Sequence, residues 1–205
     1  MNKPPYSHHK LTLLQLTVLP GLVAVLVLAL HNLPESAWLQ LNFQRDFIYA
    51  GELWRLVTAN LIHSNIWHLL LNLGGFAVLW LLHHIHFTAW RYISLLLTAS
   101  LLCSTMIFYL APELDYYVGL SGSLHAMVIL GALYDIRVKM LTGWLLLILT
   151  VAKVGYEQWQ GPDPDLALLI EANVAIDAHL YGALSGLVLF GLLQLWHFSQ
   201  QKRQV

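Results

Sequence analysis

The sequence predicts an all-α membrane protein, a bundle of six transmembrane helices with both termini cytoplasmic, and three observations carry that prediction. Of 205 residues, 58% are hydrophobic and only 10% charged, with a mean hydropathy of +0.64, a balance foreign to soluble globular domains. Six apolar stretches, at residues 11–30, 66–82, 90–110, 120–136, 141–156 and 174–198, each approach the length that crosses a bilayer. Lys3, Lys10, Arg91, Arg137, Lys139, Lys202 and Arg203 fall at ends that six alternating spans place together, and an excess of Lys and Arg marks the cytoplasmic side. Asp135 is the one acidic residue near such an end. The net charge of −1 supplies no basic field for nucleic acid. No internal repeat or linker interrupts the chain, so residues 1–205 read as a single membrane domain.

The first stretch, preceded by the basic segment Met1 to Lys10, resembles a signal peptide, but its length suits a span and no small-residue cleavage site follows. It is therefore expected to be a retained helix, kinked at Pro20-Gly21. The connection at residues 31–65 carries Trp38, Leu39, Phe43, Phe47 and Tyr49 at near-helical spacing among Gln40, Gln44, Arg45 and Asp46. That pattern predicts an amphipathic segment lying in the outer interface. Glu52-Leu53-Trp54-Arg55 then leads toward the second stretch.

His68 and Asn72, four apart, share one face of the second helix with Gly75 and Leu79. Polar side chains inside a membrane helix either face a functional cavity or hydrogen-bond between helices, and the spacing leaves both readings open. His63 lies about 140° around the helix from His68, so it precedes the regular helix or serves another role. His83, His84 and His86, with His8 and His9, invite a metal site, but they lack ordered ligand spacing and read as interfacial polar residues. No His-Glu-x-x-His pattern occurs, and Cys103, the only cysteine, excludes an internal disulfide and is assigned to packing. No cofactor or metal is called for.

Ser94, Ser100, Ser104 and Thr105 make the third stretch a scaffold for close helix contact. The fourth is short, so its N-terminus should start below the outer surface and residues 111–118 should dip inward, which requires a water-lined cavity. It opens on Gly119-Leu120-Ser121-Gly122. Ser121 thus stands at a helix N-terminus, where unpaired N–H groups and the positive dipole end can stabilise an oxyanion. A soluble hydrolase elbow would need glycine where Ser123 stands. Ser123 points about 200° from Ser121, whereas His125 shares its face and is a rival base.

The fifth stretch is apolar except for Lys153, which Glu157 follows four residues on as an expected outer-interface ion pair of little worth. Gly161-Pro162-Asp163-Pro164 reads as a turn in the outer loop. In the sixth stretch His179, Gly182 and Gly186 fall on one face, a histidine carried on a stripe that admits a partner helix. A serine needs a base to become nucleophilic, and His179 is the expected partner of Ser121. Asp177 points about 200° away from His179, which argues for a two-residue catalytic unit.

Trp54-Arg55, then His63, His68 and Asn72, then Gly119-x-Ser121-Gly122, then Ala178-His179-x-x-Gly182-x-x-x-Gly186 together resemble the rhomboid family of intramembrane serine proteases, from Glu52 to Gly186. The resemblance implies a six-helix fold with Ser121 as nucleophile and His179 as general base. It implies an oxyanion hole made of His68, Asn72 and the Ser121 backbone N–H. Gly119, Gly122, Trp54, Arg55, His63, His125, Gly182 and Gly186 support these. The compact chain, Gly119 to His125 and Asp177 to Gly182 are similar to the rhombosortase subgroup. That subgroup implies a bacterial inner-membrane enzyme open to the periplasm, acting on envelope proteins with a C-terminal tail of Gly-Gly, a membrane helix and basic residues. Other expectations are a general rhomboid protease with different single-pass substrates, and a rhomboid-like protein that binds membrane helices without cutting. A transporter is disfavoured because the inner half lacks a charged relay.

Overall fold

The computed structural model describes residues 13–202, with side chains from Leu16 onward. Lys3, His8, His9, Lys10 and Arg203, and the start of the first apolar stretch, lie outside the described residues. The elements in order are α1 (Leu13–His31), α2 (Glu35–Trp38), β1 (Phe43–Gln44), α3 (Arg45–Tyr49), α4 (Arg55–Thr58), a 3-10 turn (Ala59–Leu61), α5 (Ile66–His83) and α6 (Ala89–Leu110). They continue with β2 (Tyr116–Tyr117), α7 (Ser121–Arg137), α8 (Leu141–Gln160), α9 (Pro164–Ile170) and α10 (Ile176–Lys202). One long helix thus occupies each of the six apolar stretches. Three of them, α5, α6 and α10, are long and apolar enough to cross a membrane. In contrast, α7 has 17 residues, and α8 carries Lys153 and Glu157 within its 20.

α7 is the central helix, packed by α5, α6, α8 and α10, with α1 against α5. The exterior is apolar instead of polar: Leu22, Val25, Leu141, Leu145, Ile148 and Leu195 are all exposed, the inverse of a soluble surface and suited to lipid. α1 runs on through Pro20, whose missing N–H strips the Leu16 carbonyl of its helical partner. The Trp80 indole of α5 donates to that same carbonyl at 2.9 Å, so a neighbouring helix supplies the lost bond.

The connection at residues 31–65 is not the single amphipathic segment that its aromatic spacing suggests. It is broken into α2, β1, α3, α4 and the 3-10 turn, folded over two arginine anchors, Arg55 buried and Arg45 partly so. Arg55, 3% exposed, donates to the Leu39 and Asn42 carbonyls at 2.8 Å each and to Glu52 at 2.6 Å, with its guanidinium over the Phe47 ring. The Trp54 indole donates to the Gln40 carbonyl. Arg45 donates to the carbonyls of Ile107, Phe108, Ala111 and Leu114, capping the C-terminal end of α6. Helical periodicity misleads here because long-range carbonyl acceptors, not a continuous helix, satisfy the segment.

β1 pairs antiparallel with β2, Phe43 opposite Tyr117 and Gln44 opposite Tyr116. This short ribbon carries the chain inward to α7, and Tyr117, Val118 and Leu120 are buried. Of the connection expected to dip inward, Tyr117 and Val118 are buried, and the backbone that follows is satisfied by protein: the Gly119 N–H donates to the Ala59 carbonyl at 2.9 Å, and the Tyr117 hydroxyl to the Gly119 carbonyl. The loop after α8 also holds a helix, α9, where a turn alone was expected. Asp163 caps it by accepting from the Asp165 and Leu166 N–H groups, and Pro164 occupies its first turn.

Two of the three histidines at the end of α5 differ from the interfacial residues expected: His83 is fully buried and His86 nearly so, while His84 is partly exposed. His86 Nε2 meets Asp135 Oδ1 at 2.5 Å, and the Thr142 hydroxyl donates to Asp135 Oδ2 at 2.7 Å. Asp135 thereby ties the α5–α6 connection, α7 and α8 together at the end of the bundle away from Ser121. Cys103, also buried, directs its thiol at the Ala178 carbonyl, in keeping with a packing role.

Candidate active site

Ser121 is the first residue of α7, reached through Gly119, whose φ of +110° lies in the region that only glycine adopts without strain. A Cβ there would also strike the His68 ring. Gly122 lets α7 approach its neighbours: a Cβ on it would stand 2.8 Å from Cys103 Sγ and 2.9 Å from the Ala178 carbonyl. Gly182 of α10 faces the Gly122 carbonyl and Gly186 the Ala126 carbonyl, each so closely that a methyl group would overlap backbone. This glycine seam brings α10 onto α7 and sets His179 opposite Ser121. The Ser121 Oγ to His179 Nε2 distance is 3.1 Å.

The other ring nitrogen of His179, Nδ1, lies 2.9 Å from Glu157 Oε2, and Glu157 Oε1 accepts from Lys153 at 2.6 Å. Asp177 is turned elsewhere, toward Gln158. His125 stacks on His179 with ring centroids 4.2 Å apart and 20° between planes. Its Nδ1 donates to the Ser121 carbonyl at 2.7 Å, not to the hydroxyl, so the rival base is aimed at the wrong atom. Ser123, the alternative serine, is fully buried and donates to Asn60 Oδ1 at 2.8 Å, part of a network with Ser100 and Ser104 that pins the 3-10 turn to α6 and α7.

A pocket opens over Ser121, lined by His68, Asn72, Val118, His179, Leu166 and Ile170 among others. Asn72 is buried, and its amide nitrogen has no partner, a donor held free beside the serine. His68 makes its Nδ1 contact with the Ser64 hydroxyl at 3.0 Å. That hydroxyl has one proton and gives it to the Ile170 carbonyl at 2.6 Å, so Ser64 accepts from His68 Nδ1–H and the Nε2 of a neutral ring carries a lone pair. Ser64, with Asn65 donating to the Leu169 carbonyl at 2.9 Å, ties α9 down over the pocket. His63 precedes α5 and stacks edge-on against His68, ring centroids 5.0 Å apart. Burial first, then the neighbouring His68 and His31, pushes its ring down to about 3, so it is neutral at physiological pH and packs as an uncharged wall.

The sequence-predicted residues therefore separate into groups. Ser121, His179, His68, Asn72, His125, Gly119, Gly122 and Gly182 meet at one site, with Gly186 one turn deeper and His63 behind His68. Trp54 and Arg55 lie away from it and organise the outer connection. Sequence reasoning missed Ser64, which no pattern marks. The expected Lys153–Glu157 ion pair is present, but sequence reasoning missed the second bond of Glu157: this carboxylate is 13% exposed and also bonded to His179. The signal was an ionisable pair at the end of an apolar stretch, a placement that points to function.

Apolar helices sheathed in apolar surface around a pocket that holds Ser121, His179, His68 and Asn72 define a multi-pass helical membrane protein. The model of the Rhomboid domain matches residues 50–196, and the chain belongs to the rhomboid family, whose members are intramembrane serine proteases that act on membrane proteins within the bilayer. No curated protein matches the chain.

Proposed function

We propose that the chain is a rhombosortase-like serine endopeptidase that removes a C-terminal tail of Gly-Gly, membrane helix and basic residues from envelope proteins. The observation that carries the serine-protease part of this reading is the 3.1 Å contact between Ser121 Oγ and His179 Nε2, both of which line the pocket; the tail specificity rests on the rhombosortase resemblance. His179 Nε2 takes the hydroxyl proton as Oγ bonds to the scissile carbonyl carbon, then passes it to the leaving amine as the C–N bond breaks. Water enters the same cavity, loses a proton to His179 and releases the new carboxyl terminus with Ser121 restored. Asn72 and the first N–H groups of α7 donate to the oxyanion. His68 joins them when its proton moves to Nε2, which requires the Ser64 hydroxyl to turn from Ile170 to Nδ1.

In this proposal all six long helices span a bacterial inner membrane, both termini are cytoplasmic, and the pocket opens to the periplasm. Arg91, Arg137, Lys139 and Lys202 support that orientation through the excess of basic residues on the cytoplasmic side. The partners are then membrane-anchored substrates and the bilayer itself. The test is cleavage of a single-pass reporter in membranes. Ser121→Ala and His179→Ala should each abolish it, and the double variant should be no worse, because residues acting as one unit are not additive. Substantial cleavage by folded Ser121→Ala would overturn the assignment.

A further inference from the structure

We infer that the catalytic unit has a third member: Glu157 is the positioning carboxylate for His179, and Lys153 holds it in place. The inference rests on Ser121 and His179 acting as proposed above. A carboxylate only accepts hydrogen bonds, so its 2.9 Å contact puts the imidazole proton on Nδ1. The Nε2 lone pair then faces the Ser121 hydroxyl, the tautomer that a general base needs. With the ring on α10 and the carboxylate on α8, the bond also fixes the rotation of His179 about its own side chain. When His179 receives the serine proton, Glu157 remains ionised and faces the imidazolium, and the proton leaves again from Nε2 to the departing amine.

Lys153 explains why the carboxylate stays in that orientation. Its ammonium is 2.6 Å from Glu157 Oε1, leaving Oε2 for the histidine, and 3.4 Å from His125 Nε2. Because His125 Nδ1 is the donor to the Ser121 carbonyl, its Nε2 is an acceptor, and the ammonium serves both groups. The ligand atoms of His125, Glu157 and His179 lie within 4.8 Å of one another, a spacing that would also suit a metal ion. Lys153 stands among the three and occupies the place of that ion: its ammonium donates to Glu157 and His125, while its 3.5 Å approach to His179 Nδ1 is no hydrogen bond because that nitrogen carries the proton given to Glu157. The stacked His125 ring closes the far face of His179, and the four side chains form one assembly across α7, α8 and α10.

Labelling of Ser121 by a fluorophosphonate tests this without knowledge of the substrate. Saturation kinetics on the full chain give the reversible affinity KI and the bonding rate kinact. Glu157→Gln should lower kinact by about 10²-fold or more with KI nearly unchanged, as loss of the orienting carboxylate does in a serine–histidine unit. Glu157→Asp, which keeps the charge, should recover part of that rate. A merely structural role would instead raise KI by deforming the pocket and would give Gln and Asp equal effects. Glu157→Ala, favourable in a helix, is the second variant should Gln not fold, with the same loss expected. Unchanged kinact in folded Glu157→Gln or Glu157→Ala, with Ser121→Ala unlabelled, would overturn the third member and leave the pair standing. Labelling that persists in Ser121→Ala would overturn the pair itself.

Discussion

The nitrogen of Asn72 sits buried without a partner, which in a folded interior is costly unless a ligand or transition state completes it. If its partner is the oxyanion, Asn72→Ala should lower kcat of reporter cleavage by about 10²–10³-fold with little change in KM. A raised KM with kcat unchanged would point instead to substrate binding. His125→Ala should hurt less than His179→Ala, because His125 is bonded to the Ser121 carbonyl and only backs the base; the reverse ranking would make it the base. At this scale the sequence made the residues on shared helix faces legible, since a spacing of three or four fixes direction. His68 with Asn72, Ser121 with His125 and His179 with Gly182 are all arrangements of that kind. Contacts between helices were not legible. Asp177 could be dismissed by angle alone, but Glu157 precedes His179 by 22 residues on another helix, and no periodicity relates them.

Helix-on-helix contact is where the serine and histidine are brought together, and the glycine seam of α7 and α10 makes it. Without a hydrophobic drive between helices in lipid, close backbone approach supplies the packing energy. Gly182→Ala places a methyl group on the Gly122 carbonyl, backbone that cannot step aside, so α10 must shift and carry His179 with it. Such overpacking costs about 1–3 kcal/mol. The expected result is a lower thermal midpoint in detergent and loss of cleavage. Gly191→Ala, with open space around it, should change neither and serves as the control. An unaltered midpoint and rate in Gly182→Ala would show that the seam is not what sets the pair. The long helices were legible as elements because burial in lipid demands continuous apolar runs. The ribbon β1–β2 and the short helices were not, because two-residue strands carry no alternation and Arg45 and Arg55 find their carbonyls far away in sequence. The α9 cap was readable in principle from Asp163-Pro164, an N-cap followed by proline in the first turn.

The whole molecule is built unequally at its two ends. Away from Ser121 the bundle is closed by Asp135 with His86 and Thr142, while around Ser121 the short α7 leaves room for a ribbon, a cap and a pocket. Substrate chemistry follows from that asymmetry. Hydrolysis needs an extended peptide, yet a membrane helix hides its carbonyls in internal hydrogen bonds, so cutting is favoured where the helix unwinds easily. Glycine has low helix propensity and no side chain to obstruct the approaching Ser121 hydroxyl. In the proposed orientation, basic residues after a C-terminal helix stay on the cytoplasmic side and hold the other end of that helix level with the pocket. A Gly-Gly pair at that outer end meets both requirements. Tail removal followed in membranes should therefore proceed for a Gly-Gly reporter, fail when both glycines are replaced by leucine, and fail for either when Ser121→Ala is used. Equal removal of the Leu-Leu and Gly-Gly tails by the active chain would sink the proposed specificity while leaving the protease intact. Removal that does not depend on Ser121 would remove the enzyme from the account altogether.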